Sequence, residues 1–262
     1  PKWAPPHRLK AGGKTLRIMA GPNGSIQGPC ESKWGYTTQT VADWDHDGLP
    51  DIVVNSILGK IVWYRNIGTR KAPKLAVAEP INVEWRGEQP TLKWGWMRPR
   101  GKALLTQWRT TPVVVDWNRD GLNDLLMLDH EGYLTLFPRS KRGGKLLLHE
   151  PQRIFETHNP FGYVRLNTKT AGGSGRRKLC VADWDGDGRL DVLANSPNAE
   201  LWRNVADREG MYKLLNRGTI FKRNISSHTT SPTVVDWNGD GVPDLLVGAE
   251  DGYLYYGRNP RK

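Results

Sequence analysis

Four segments of this sequence place oxygen-bearing side chains at the same fixed spacing. Aligned, they read Asp-Trp-Asp/Asn-x-Asp-Gly-x-x-Asp. Oxygen ligands at positions 1, 3, 5 and 9, with a glycine at position 6 for the sharp turn, suit a hard cation such as Ca²⁺. The pattern therefore predicts up to four structural Ca²⁺ sites. The predicted ligands are the side chains at these four positions of each loop: Asp43, Asp45, Asp47, Asp51, Asp116, Asn118, Asp120, Asp124, Asp183, Asp185, Asp187, Asp191, Asp236, Asn238, Asp240 and Asp244.

The residues around each loop predict strands and not helices. The first half of the loop is similar to an EF-hand loop, but position 12 holds an apolar residue where an EF-hand needs Glu. The flanking stretches, such as "TVADW" and "DIVVN", are short, rich in β-branched residues and bounded by turns. Each unit is thus predicted to be a strand, a cation-binding loop and a strand, and a unit written four times indicates a repeat architecture.

Asp-x-Asp-x-Asp-Gly-x-x-Asp loops between short strands resemble the FG-GAP/VCBS repeats of integrin-α-type β-propellers. The resemblance implies an all-β fold in which four-stranded antiparallel blades surround an axis, with Ca²⁺ bound between the first and second strands of a blade. It leaves the function open, because such propellers serve as lectins, adhesion modules and polysaccharide-degrading enzymes.

One β-propeller domain over 1–262 is expected, with four motif-bearing blades. The blades cover about 35–84, 108–156, 176–222 and 228–262. The fourth unit lacks a fourth strand, and "PKWAPPHRLK" at 1–10 is similar to an outer strand, so it is expected to supply the missing strand and close the ring. The alternative is that the chain is part of a larger propeller, because seven blades are usual in the family.

A tryptophan follows the first Asp of every loop. This strict placement predicts packing between blades and not ligand contact. The four residues are Trp44, Trp117, Trp184 and Trp237.

The long connections that precede the innermost strands emerge on the face opposite the Ca²⁺ loops. They combine aromatic residues with Arg and Lys, which is typical of surfaces that stack sugar rings and hold their carboxylates. The residues predicted to bind substrate there are Trp34, Trp94, Trp96, Trp108, Tyr163, Arg176, Arg177 and Lys178. Tyr36, Arg109 and His228 should lie at the mouth of the central channel and are the predicted catalytic residues.

The charge of the chain favours an anionic partner. Lys and Arg number 38 against 27 Asp and Glu, for a formal net charge of +11, and more than half of the acidic residues lie in the four loops. The remaining surface is therefore strongly basic and attracts polyanions. No nucleic-acid-binding motif accompanies the charge, and no apolar run is long enough to span a bilayer. An acidic, uronic-acid-containing polysaccharide is the expected partner.

Two function classes remain open. The first is a polysaccharide lyase that cleaves by β-elimination, or a related uronate-directed glycosidase; elimination needs a cation for the carboxylate, a base for the C5 proton and an acid for the leaving oxygen. The second is a non-catalytic, calcium-stabilised lectin or adhesion module. The four long loops differ in length and content, which favours one asymmetric pocket and hence the enzyme.

The two cysteines do not form a disulfide framework. One bridge between Cys30 and Cys180 stays open on the sequence. Ca²⁺ sites and a glycan substrate together predict a secreted, periplasmic or cell-surface protein.

Overall fold

The computed structural model describes residues 4–25, 27–92, 97–158, 162–168, 176–206, 212–227 and 229–261. Within these ranges the chain is all-β: the strands form small, mostly antiparallel sheets, and the one helical element is the short 3-10 helix Pro29–Glu31. None of the helical structure described is long and apolar enough to cross a bilayer. The predicted all-β class is confirmed.

The chain begins with a small hairpin and continues into the sheet of the first repeat, sheet 1. The hairpin strands are β1 (Lys10–Ala11) and β2 (Lys14–Thr15). Sheet 1 has four strands in antiparallel sequence order: β3 (Thr38–Ala42), β4 (Asp51–Asn55), β5 (Val62–Tyr64) and β6 (Glu79–Pro80).

The second repeat forms sheet 2 and is followed by a separate hairpin. The sheet consists of β7 (Val113–Val115), β8 (Asp124–Leu128) and β9 (Leu134–Phe137). The hairpin consists of β10 (Arg139–Arg142) and β11 (Lys145–Leu148). The chain then returns to the edge of sheet 2 through isolated bridges between Gln152 and Leu136 and between Arg165 and Tyr133.

The third and fourth repeats form sheets 3 and 4. Sheet 3 holds β12 (Phe155–Glu156), β13 (Leu179–Ala182), β14 (Asp191–Asn195), β15 (Ala199–Asn204) and β16 (Tyr212–Thr219). Its outermost strand β12 belongs by sequence to the second repeat and pairs in parallel with β16. Sheet 4 holds β17 (Thr230–Val235), β18 (Asp244–Ala249) and β19 (Leu254–Gly257).

The N-terminal segment lies on the first repeat. Ala11 bridges Leu75, and the amide of Gly12 donates to the carbonyl of Leu75 over 2.9 Å. In the described residues the segment adds no strand to sheet 4, which has three. The described residues therefore do not show 1–10 as the outer strand that was expected to close the ring.

The four strands that precede the acidic loops, which are the first strands of the four repeats, lie side by side. Strand β3 contacts β7, β7 contacts β13, and β13 contacts β17. Apolar side chains fill the space between successive sheets, and the loop tryptophan of one repeat packs on the second strand of the next. Trp44 packs with Leu125 and Met127, and Trp184 with Leu245 and Val247. The predicted packing role is thus observed for Trp44, Trp117 and Trp184, which are 4%, 4% and 8% exposed, whereas Trp237 is 52% exposed.

Candidate functional site

The acidic loops connect the first and second strands of the four sheets, and the ninth loop residue acts as a clamp in each. Asp51 accepts hydrogen bonds from the amides of Trp44 (3.0 Å) and Asn66 (2.6 Å), which join the loop to the end of the third strand. Asp124 and Asp191 accept the same two bonds in their repeats, and Asp244 accepts its bond from the amide of Asn259. All four side chains are fully buried.

Burial opposes the charge on these clamp carboxylates. Desolvation raises the pKa of Asp124 and of Asp191 to about 6, against the opposing effect of the two backbone hydrogen bonds. The pKa of Asp51 is also raised, mainly by desolvation. A cation bound in the loop would favour the ionised form.

Two of the loops bring three carboxylates close enough to share one cation. Ligand oxygens of Asp43, Asp45 and Asp51 lie within 4.8 Å of one another, and so do those of Asp183, Asp185 and Asp187. Asp45 Oδ1 is buried and has no hydrogen-bond partner among the described residues. An orphaned carboxylate oxygen in an all-oxygen donor set fits Ca²⁺.

An arginine at the end of the third strand neutralises part of this charge. Arg65 Nε lies 2.6 Å from Asp45 Oδ2, and Arg203 pairs with Asp185 and Asp187. The second repeat has Pro138 at this position.

A groove runs between the first strands. It encloses about 720 Å³ and is lined by hydroxyl-bearing and apolar residues of β3, β7, β13 and β17, with Lys178 as its cation. Because residues that precede a first strand lie at the end of the sheet opposite the acidic loop, Tyr36, Arg109 and Arg176 gather there. We call these three residues, together with Arg177 and Lys178, the cationic mouth.

Arg109 lies at the centre of the cationic mouth. Its guanidinium carbon is 3.2 Å from the ring centroid of Tyr36 and 4.2 Å from that of Trp108. Its Nη2 is 3.4 Å from Oε1 of Glu31, and both side chains of this ion pair are buried. Desolvation lowers the pKa of Arg109 to about 10 despite Tyr36 and Glu31.

Lys178 connects Arg109 to the groove. Its Nζ donates to the carbonyl of Arg109 over 3.1 Å, and its amide donates to Oδ1 of Asn195 over 2.8 Å. Desolvation, and then the charges of Arg109 and Arg176, lower the pKa of Lys178 to about 8. Desolvation also lowers the pKa of Arg177, whose Nη1 donates to the carbonyl of Asn195. Among the described residues, the mouth therefore concentrates more positive charge than Glu31 and Glu200 balance.

The structure unites some of the predicted substrate-binding residues and separates others. Trp34 and Tyr36 are about two-fifths exposed and pack edge to face, with ring centroids 5.4 Å apart. Trp108 is buried, 1% exposed, so its predicted contact with substrate is replaced by packing under Arg109. Tyr163 is exposed and forms a bridge with Glu156. Trp94, Trp96 and His228 lie outside the described residues.

Comparison with known proteins places the repeats in a family. A model of the FG-GAP-like repeat matches twice, over 116–194 and 183–247. These matches cover half of the sequence. The chain belongs to the family of FG-GAP-like repeat proteins.

Nine chains of solved structures also match the FG-GAP-like chain. One is an Agrocybe aegerita lectin described for its specific recognition of non-reducing terminal N-acetylglucosamine, with 15% identity and a TM-score of 0.43. The match covers 86% of the present chain and 49% of the lectin chain, so the FG-GAP-like chain spans about half the lectin's length. No curated protein gives a significant match.

Two features of the FG-GAP-like site were not found from the sequence. The buried partner of Arg109 is Glu31, which lies 78 residues away in the chain, and no local pattern links the two. The hydroxyl groups that line the groove could have been predicted from the sequence, because Ser231 and Thr233 alternate along β17, as Thr38 and Thr40 do along β3. Alternation with period two places such residues on one face of a strand.

Proposed function

We propose that this chain is a calcium-stabilised β-propeller protein that binds acidic, uronic-acid-containing polysaccharide at its cationic mouth. The observation that carries the proposal is the cluster of Arg109, Arg176, Arg177 and Lys178, of which Arg109 alone forms an ion pair among the described residues, while the charge of Glu200 acts on Arg177. A sugar carboxylate would supply the missing negative charge, and charge-assisted hydrogen bonds from Arg and Lys are the strong ones.

The roles within the mouth differ. Arg176 is exposed and Lys178 borders the groove, so both can reach a carboxylate. Trp34 and Tyr36 offer exposed aromatic rings for a sugar face. Arg109, 4% exposed, is the positioning residue that holds Tyr36 and fixes Lys178 through its carbonyl.

Ca²⁺ would be held in the acidic loops and would be structural. The groups that would hold it are the carboxylates at loop positions 1, 3 and 5, together with Asp51 in the first repeat. Bound Ca²⁺ supplies positive charge that the loop carboxylates otherwise obtain from Arg65 and Arg203. Glycan binding and Ca²⁺ sites of this kind would suit a secreted, periplasmic or cell-surface protein.

The test is binding to polygalacturonate and to its methyl ester, which keeps the sugar and removes the charge. We expect the acid to bind and the ester to bind at least about tenfold more weakly. Lys178→Gln and Arg176→Gln should each weaken binding to the acid by about tenfold. Arg142→Gln, on the exposed β10–β11 hairpin, is the matched control and should change binding less than about twofold. Equal losses in all three variants, or equal binding of acid and ester, would refute a specific site.

A lyase is the second candidate, and one observation favours it. A Lys178 amine with a pKa of about 8 is half neutral at that pH and can accept a proton. In a β-elimination it would take the C5 proton while the C4–O bond breaks, a C4=C5 double bond forms and the leaving oxygen takes a proton from water. The product absorbs in the ultraviolet. A rise in absorbance with polygalacturonate that Lys178→Gln abolishes would establish the lyase; binding without any rise would leave the lectin.

A further inference from the structure

One face of sheet 4 carries apolar side chains that nothing among the described residues covers. Val235, Trp237, Leu254 and Tyr256 are 38%, 52%, 82% and 44% exposed. They come from β17, from the loop that follows it and from β19, and we call the surface that they form the open face. Contiguous exposed apolar side chains of this size mark interaction surfaces more often than single scattered ones do.

Two of these four positions, those of Trp237 and Leu254, are buried in the other three repeats. Leu254 corresponds to Leu134 and Ala199, the first residues of β9 and β15, and to Ile61, directly before β5; each is 0% exposed. There the following sheet covers them, through the apolar residues of its second strand. The part of the chain that the structure describes thus contains three copies of one interface and one further open face.

The complementary half of that interface belongs to sheet 1. Ile52, Val54, Val62 and Tyr64 form the face that corresponds to the one on which Trp44 packs in sheet 2 and Trp184 in sheet 4. We call it the receiving face. It is covered by the N-terminal segment, which supplies Ala11, Leu16 and Ile18, and by Leu75.

One side-chain hydrogen-bond donor also lacks its partner in the first repeat. In two repeats the second residue after the third strand donates from its side chain to the carbonyl of the loop tryptophan of the preceding repeat: Arg139 to Trp44, and Asn259 Nδ2 to Trp184 over 2.8 Å. Asn66 occupies this position in the first repeat, where its Nδ2 is buried and has no partner among the described residues. A buried amide without a partner keeps the cost of its desolvation with no hydrogen bond to offset it.

We propose that the open face of one molecule docks on the receiving face of a second copy of this chain, in competition with the N-terminal segment. The contact would repeat the geometry of the internal interfaces, with the ring of Trp237 on Ile52 and Val54 and with Asn66 Nδ2 donating to the Trp237 carbonyl. The interface is heterologous, because it joins two different surfaces. When the N-terminal segment is displaced, the receiving face loses its contacts with that segment. It gains contacts with the open-face residues Val235, Trp237, Leu254 and Tyr256.

The test is sedimentation velocity over a concentration series in about 0.5 M salt, which screens the repulsion between basic copies. Gly12→Val should favour association, because a side chain there needs a positive φ and would place its Cβ 2.4 Å from Cγ1 of Val77. We expect association at least about tenfold tighter than for the wild type, and a loss of at least about tenfold when Trp237→Ala is added. Ile67→Ala, which truncates another exposed apolar residue, is the matched control and should have no effect.

A mixing experiment identifies the partner surface. One Gly12→Val protein also carries Trp237→Ala, which spoils only the open face; the other also carries Ile52→Asp, which spoils only the receiving face. Neither should associate alone, and the mixture should form heterodimers. Near-ultraviolet circular dichroism verifies folding, and Val62→Asp replaces Ile52→Asp if the latter does not fold.

Each other result overturns the proposal. Self-association of the Ile52→Asp protein would mean that two open faces pair with each other. Monomers throughout, the mixture included, would mean that the open face has no second copy as its partner.

Discussion

The guanidinium of Arg109 lies over the ring of Tyr36, and the two residues occupy the same position in successive repeats, seven residues before the first loop Asp. Both have a left-handed backbone, with φ of 58° and 45°. Non-glycine residues rarely adopt this conformation, and such strain persists where the surroundings over-determine it. The stacked pair and the buried Glu31 together fix the cationic mouth.

Removal of the Glu31 charge should destabilise the protein strongly. Glu31→Gln leaves the Arg109 guanidinium buried without a counter-ion, and breaking a buried pair on one side costs about 3–5 kcal/mol. The control is Glu84→Gln, which breaks the exposed pair with Lys102 and should cost less than about 1 kcal/mol. Urea unfolding measures both free energies; equal losses would contradict the argument from burial.

The stability of the protein should depend on Lys178 in the alkaline range. Its pKa is about 8 in the folded chain and higher when unfolded, so between these values the unfolded state binds more protons and stability rises with pH. The penalty for the buried charge is fully present below pH 8 and is relieved between about pH 8 and 10. The free energy of unfolding of the wild type should therefore rise relative to Lys178→Gln by on the order of 2–3 kcal/mol over this range. Parallel curves for the two proteins would show that Lys178 does not titrate there.

Binding of an acidic glycan should take up protons near pH 8. A carboxylate beside Lys178 favours the charged amine and raises its pKa, so at pH 8 roughly half a proton per site is bound together with the ligand. Calorimetry with polygalacturonate in buffers of different ionisation enthalpy measures this number. The number of protons taken up should fall towards zero at pH 6, where Lys178 is already charged. It should also fall towards zero in Lys178→Gln. Proton release, or an uptake that Lys178→Gln retains, would place the binding elsewhere.

Replacement of Arg139 by Asn should destabilise the protein less than replacement by Ala. Arg139 stacks 3.6 Å from the Trp44 centroid and donates to the Trp44 carbonyl. Asn259 makes the corresponding carbonyl bond in the fourth repeat. Arg139→Asn should therefore cost about 1–2 kcal/mol less than Arg139→Ala, which leaves the carbonyl without its donor. Urea unfolding of the two variants gives the difference, and an equal loss would show that stacking, not the hydrogen bond, matters.

Removal of Ca²⁺ should lower the melting temperature. A ligand that binds only the folded state stabilises it by about 2.7 kcal/mol per site at a concentration one hundred times its Kd. We expect EDTA to destabilise the protein and Ca²⁺ to restore it, and Asp43→Asn to reduce the gain. Arg65→Gln should destabilise the Ca²⁺-free protein more than the Ca²⁺-bound one, because Arg65 neutralises Asp45. An unchanged melting temperature in EDTA, with no Ca²⁺ bound at equilibrium dialysis, would refute the Ca²⁺ sites.

The sequence by itself determined the strands, the loops and the repeat. These depend on local chemistry: β-branched residues favour strands, and Gly at loop position 6 permits the turn. The packing role of the loop tryptophans also followed from the sequence, because a residue that recurs at one position of every repeat meets the same neighbour each time. Tyr36, Arg109 and Lys178 could be brought to one end of the sheets by counting back from the loop Asp of each repeat.

Only the tertiary structure decided what those residues contact. Trp108 has the composition of a sugar platform but is buried under Arg109, and Glu31 reaches Arg109 across 78 positions of the chain. The place of the N-terminal segment and the exposure of Trp237 depend on which apolar faces meet. Burial is non-directional and is set by the whole fold, so no spacing in the sequence encodes which surface covers another.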